Sequence, residues 1–123
     1  MRKIEFRGKT EKSGDWIYGG YGFSTKNPKV YITAHRAFFL VKPETVGQFT
    51  GFKDIDDNKI FEGDIIQYAD ENEGYKVEWR YGAWVVGFYD DDWNLIDVLD
   101  NTPVKVIGNI HDNPELLGSG ESV

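Results

Sequence analysis

Asp54, Asp56 and Asn58 have the opening spacing of a calcium loop, in which oxygens at alternate positions converge on one hard cation. The rest of that loop is missing. Lys59 stands where a glycine makes the sharp turn, and Ile65 where a bidentate glutamate closes the site. A hairpin turn, with Asp and Asn side chains bonded to nearby backbone amides, is therefore the expectation. Asp90, Asp91 and Asp92 could in principle hold magnesium. Consecutive residues of an extended chain point to opposite faces, so a solvated loop is expected there and no metal site is assigned.

Nucleophilic chemistry finds no frame. Ser13, Ser24, Ser119 and Ser122 lie in polar or terminal stretches, and neither His35 nor His111 has a carboxylate or nucleophile partner visible in the sequence. Glu62 and Asp64 could pair as acid and base, but Asp64 follows Gly63 at a strand entrance, where a turn hydrogen bond suffices. Gly19-Gly20-Tyr21-Gly22 lacks the Lys-Ser/Thr and the following helix of a phosphate loop. The chain is expected not to be an enzyme and to need no cofactor.

Aromatic residues make up 15% of the chain, enough to fill a small β core or to stack nucleic-acid bases. Trp79, Tyr81 and Trp84 around one hairpin, with Lys76 and Arg80 nearby, are the stacking candidates. Alternation puts Trp79 and Tyr81 opposite Lys76 and Arg80, a poor groove for a base and its phosphate. Lys76, Arg80 and Trp84, with the acidic Asp90, Asp91 and Asp92, mark the candidate interaction surface.

These residues must be positioned by strands. Ile4 and Phe6 alternate with charged neighbours. Trp16 to Tyr18 forms a second strand closed by Gly19-Gly20, Asn27-Pro28 a turn, and Val30 to Ile32 a third strand. Ala37 to Val41 reads as a buried strand, Pro43-Glu44 as a boundary. From Gln48 to Ile66 the chain reads strand, turn, strand, and Gly63-Asp64 swings it into Ile65–Tyr68. Asp70 to Gly74 is an acidic turn. Val77, Trp79 and Tyr81 share one strand face, Gly82 reverses the chain, and Ala83 to Tyr89 returns. Asp90 to Asn94 reads as a polar loop, Val98-Leu99 as weak, Val104 to Ile110 as the last strand. Asn113-Pro114-Glu115 starts one helical turn with proline at its first position. Fourteen glycines and no long helical period argue an all-β protein, barrel or two packed sheets.

With 123 residues and no cysteine, this is one domain or two small subdomains, without disulfides or thiolate sites. The polar N-terminus lacks an apolar signal core, and the longest strongly apolar run, Ala37 to Val41, falls far below the ~18 residues of a membrane span. A cytoplasmic protein with no membrane partner is expected. The net charge of −7 opposes unaided binding to DNA. That charge is uneven: Arg2, Lys3, Arg7, Lys9 and Lys12 make the start basic, and Asp90, Asp91, Asp92, Asp97 and Asp100 a later stretch acidic.

Three stretches together resemble the YopX family of small phage and prophage proteins. They are Met1-Arg2-Lys3-Ile4-Glu5-Phe6-Arg7-Gly8 with Trp16-Ile17-Tyr18-Gly19, then Gln48-Phe49-Thr50-Gly51-Phe52-Lys53-Asp54 with Lys59-Ile60-Phe61-Glu62-Gly63-Asp64-Ile65-Ile66, and finally Val106 to Leu117. Phe49 and Phe61 stand where the family more often has Tyr. The resemblance implies small SH3-like barrels: an N-terminal β subdomain over residues 1–47 packed on a second barrel over 48–117. It also implies action inside a bacterial host cell. It implies no activity and carries over no site residues. Residues 118–123, at the chain end, are expected to be a disordered tail. The expected function is a non-enzymatic β-barrel adaptor for a phage or host protein. The alternative is a module of phage or host DNA or RNA metabolism, and homo-oligomers are compatible with either.

Overall fold

Four successive strands, β1 (Phe6–Lys9), β2 (Trp16–Phe23), β3 (Val30–Ala34) and β4 (Ala37–Val41), form an antiparallel meander. They belong to a computed structural model that describes residues 3–24, 29–68, 73–88 and 91–118. The chain divides into two units, residues 1–51 and 52–123. In the first, the strand order is β4-β3-β2-β1-β5, with β5 (Gly47–Lys53) entering beside β1 through Phe6↔Gln48 and Arg7↔Gly47. Because side chains alternate across a strand, Phe6, Ile17, Val30, Ile32 and Val41 all fall on one face, and with Val46 they make the core of this unit.

Glycine acts here by close approach. Gly19-Gly20 was expected to close a short strand, yet β2 runs straight through both. A Cβ at Gly19 would fall on the Thr33 carbonyl oxygen, so these glycines let β3 lie tight against β2. The meander then bends back on its first strand. Lys42 donates its amide to the Lys9 carbonyl at 2.9 Å, Glu11 donates to Leu40 at 3.0 Å, and Thr10 bridges Val41. Between β3 and β4, His35 and Arg36 make the two-residue turn with φ of 51° and 63°, angles that favour glycine or asparagine.

β5 continues past Gly51 into the second unit, where its last residues and β6 (Lys59–Phe61) are the arms of a hairpin. The second sheet has the order β10-β9-β8-β7-β11. Its strands are β7 (Asp64–Tyr68), β8 (Gly74–Arg80), β9 (Ala83–Phe88), β10 (Asp91–Asn94) and β11 (Val104–Asn109). Ile60, Ile66, Tyr75, Val77, Val86, Leu95, Val98 and Val104 are its buried core, each fully buried aliphatic side chain contributing about 1.5–3 kcal/mol.

Two expectations are corrected in this unit. Residues 91–94, expected as loop, form an edge strand paired to β9 through Asp92↔Gly87 and Trp93↔Val86. Val98-Leu99 belongs to the helix α1 (Leu95–Asn101), whose Leu95 and Val98 face the core one turn apart. Seven residues are too few to impose a helical period on the sequence. The structure is thus mostly β, in two antiparallel sheets. Among the described residues neither sheet closes into a barrel. Asn27-Pro28, residues 70–72 of the acidic turn, Tyr89 at the end of the expected return strand, and the tail from residue 119 lie outside the described residues.

Candidate functional site

The turn from Asp54 to Asn58 is built around one carboxylate. Asp54 is buried, and its Oδ1 accepts the backbone amides of Asp56 and Asn58, each at 2.9 Å. Oδ2 accepts the Val106 amide at 2.9 Å and meets the Asn58 side-chain amide at 3.4 Å. Burial pushes this carboxyl up, but the amides of Val106, Asn58 and Asp56 and the Asn58 side chain outweigh it and hold it below the usual value. Both carboxylate oxygens of Asp54, which a calcium loop would turn on a cation, are here engaged by N–H donors. Beside Val106, Ile55 donates its amide to the Val104 carbonyl at 3.0 Å, so the turn caps the outer edge of β11. Lys105 with Asp56 and Lys53 with Asp57, both at 3.5 Å, flank it as exposed ion pairs.

This cap forms one wall of a shallow cleft of about 470 Å³. Lys53, Asp54 and Ile55 line one side, and Leu99, Asp100, Asn101 and Pro103 line the other, at the end of α1. Ile55 is 64% exposed at its mouth. The charge around it is one-sided. Residues 52–123 hold five Lys and Arg against seventeen Asp and Glu, a formal charge of −12, whereas residues 1–51 hold nine against four, or +5.

The residues singled out from sequence come apart in the structure. Lys76 is buried and pairs with Glu78 at 3.3 Å, and Arg80 pairs with the same carboxylate at 3.0 Å. Trp84 stacks edge-on against Trp79 with ring centroids 4.8 Å apart, on the opposite face, alongside Val77 and Val86 of the core. Tyr81 shares neither face. It sits in the turn with φ 52°, is 99% exposed, and precedes Gly82 at φ 78°. Asp90 lies outside the described residues, and Asp91 and Asp92 are described in their backbone pairing alone.

The remaining candidates serve the fold. Asp64 Oδ2 accepts the Phe61 amide at 2.7 Å, the turn bond expected of it. Asn109 Oδ1 accepts the amides of His111 and Asp112 at 3.0 and 2.9 Å, and Gly108 leaves room for Asn113, whose oxygen would lie 2.6 Å from a Cβ there. Ser13 closes the β1–β2 loop on Thr10 at 2.6 Å. Sequence reasoning missed the cleft because its walls lie far apart in the chain. The one signal that could have found it is Ile55, an apolar residue inside a run of acids.

Fold and site together define a mostly β protein of two antiparallel sheets, in which a hydrogen-bonding cluster centred on Asp54 holds a turn in place. The YopX family profile, described as YopX protein, matches residues 5–118, and the chain belongs to that family. A solved structure of protein EF1440 from Enterococcus faecalis is similar to it in fold, with a TM-score of 0.60 and 23% identity over 96% of this chain and 100% of that one. No curated protein matches the chain in sequence. Among the described residues, no helix is long and apolar enough to cross a membrane.

Proposed function

We propose that this chain is a non-enzymatic adaptor that binds a protein partner through its second unit, inside a bacterial cell and in the service of a phage or prophage. The observation that carries the reading is the cleft beside Ile55. An apolar side chain is held out to solvent by a turn that Asp54 locks in place, in a unit of charge −12. An exposed apolar centre inside a polar rim is the anatomy of an interaction surface, and the charge selects a basic partner and speeds the encounter. The family resemblance supplies the phage or prophage setting. Both units are read as opened small SH3-like barrels, and the return of β4 onto the end of β1 supports this for the first.

The test is affinity purification of the tagged protein from induced host cells, with and without nuclease. A protein partner that survives nuclease and is lost from Ile55→Asp supports the adaptor. Recovery of no protein partner that survives nuclease, or of one that binds Ile55→Asp and wild type equally, overturns it.

A further inference from the structure

We infer that the outer face of the first unit's sheet binds single-stranded nucleic acid. Strand register sorts its residues. Arg7↔Tyr18 and Lys9↔Trp16 lie on the face opposite the core, and through Gly20↔Thr33, Gly22↔Tyr31, Thr33↔Phe38 and Tyr31↔Leu40 that face extends to β4. The core of the unit takes nothing from it, since Phe6, Ile17, Val30, Ile32 and Val41 all lie on the other side. Yet it carries Trp16, Tyr18, Tyr31 and Phe38. Phe38 is 75% exposed and Tyr18 45%, a large apolar exposure that packing within the unit does not require.

Cations and rings share this face, as they do not on the hairpin of the second unit. The Arg7 guanidinium, itself buried, lies 4.6 Å from the Trp16 ring centroid, and the half-buried Lys9 ammonium, 5.5 Å from the same centroid, is the more accessible of the two cations. Between Tyr18 and the edge-on Tyr31–Phe38 pair, β2 contributes only Gly20 and Gly22, and the Thr33 hydroxyl of β3 lies over Gly20, 2.6 Å from where a Cβ would stand. Single strands are held by aromatic platforms beside positive charge, and residues 1–51 carry a formal charge of +5 within an acidic protein. The acidic unit of a second copy would match the charge, but its hydrated carboxylates would gain nothing from Tyr18 and Phe38. A base gains from both.

This inference concerns the first unit and stands apart from the adaptor reading, which rests on the second. The experiment is fluorescence anisotropy of the full chain with labelled oligo-dT and oligo-rU of about twelve nucleotides, a length within the range of one small-barrel site. Affinity that falls with salt supports the proposal, and the better of the two oligonucleotides separates DNA from RNA as its source. Tyr18→Ala and Phe38→Ala, both at exposed positions, are each expected to weaken binding about tenfold while leaving the melting temperature in place. Lys9→Gln should reduce the salt slope by about 0.7, and Trp79→Ala, in the second unit, should change nothing. Absence of binding at low salt, or binding indifferent to Tyr18→Ala and Phe38→Ala, overturns the proposal. So does a dimer in sedimentation that those two substitutions dissolve, which would give the face to a second copy.

Discussion

Asp54 Oδ2 accepts the backbone amide of Val106 at 2.9 Å across 52 residues of chain, tying the turn of the β5–β6 hairpin to the edge of the last strand. The bond satisfies an edge-strand donor and fixes the turn that presents Ile55. Replacing Asp54 by Ala leaves three backbone amides without their acceptor. A loss of about 3 kcal/mol is expected, each unsatisfied buried donor costing about 1–3 kcal/mol against partial recovery by water. Urea unfolding of Asp54→Ala measures it, and a change below about 1 kcal/mol would remove the turn from its structural role.

The same carboxylate makes stability depend on acid. Its folded pKa is held below the ordinary value, so its contribution is complete above the unfolded pKa of about 4 and is lost as pH falls through the folded pKa. Asp54→Asn removes this titration. Unfolding free energies between pH 5 and 2 should therefore fall less steeply for the variant below pH of about 4. Parallel curves for both proteins would show that Asp54 does not sense acid.

Gly19 faces the Thr33 carbonyl, which is backbone and cannot swing aside. Gly19→Ala should open the β2–β3 pairing and destabilise the first unit by about 2–3 kcal/mol, within the usual range for overpacking. Hydrogen exchange is the sensitive measurement, with amides of β2 and β3 expected to lose protection before those of β7 and β8.

The His35-Arg36 turn holds two non-glycine residues at positive φ. Replacing the pair by Asn-Gly should relieve roughly 1 kcal/mol and raise the melting temperature by about 3–5 °C. A fall instead would mean that the two side chains stabilise the turn by contacts that offset its strain.

Trp79 and Tyr81 illustrate how far a sequence pattern reaches. Alternation placed Trp79 opposite Lys76 and Arg80, as observed, because that period is a property of the strand itself. It also placed Tyr81 beside Trp79, whereas the strand ends at Arg80 and the turn claims Tyr81. Where a strand ends is settled by its partner. The same limit hid α1, whose seven residues are set by burial of Leu95 and Val98.

From its sequence alone the chain declared what depends on near neighbours. These are its β-rich character, the side-chain-bonded turn at Asp54, the hydrogen bond of Asp64, and the motifs that place it in its family. Only the tertiary structure decided what depends on residues far apart in the chain. It joined Asp54 to Val106, set Gly19 against Thr33, and collected Trp16, Tyr18, Tyr31 and Phe38 on one face. The physical reason is that turn and strand preferences act over a few residues, whereas register and burial are settled when distant segments meet and the most apolar faces leave water together.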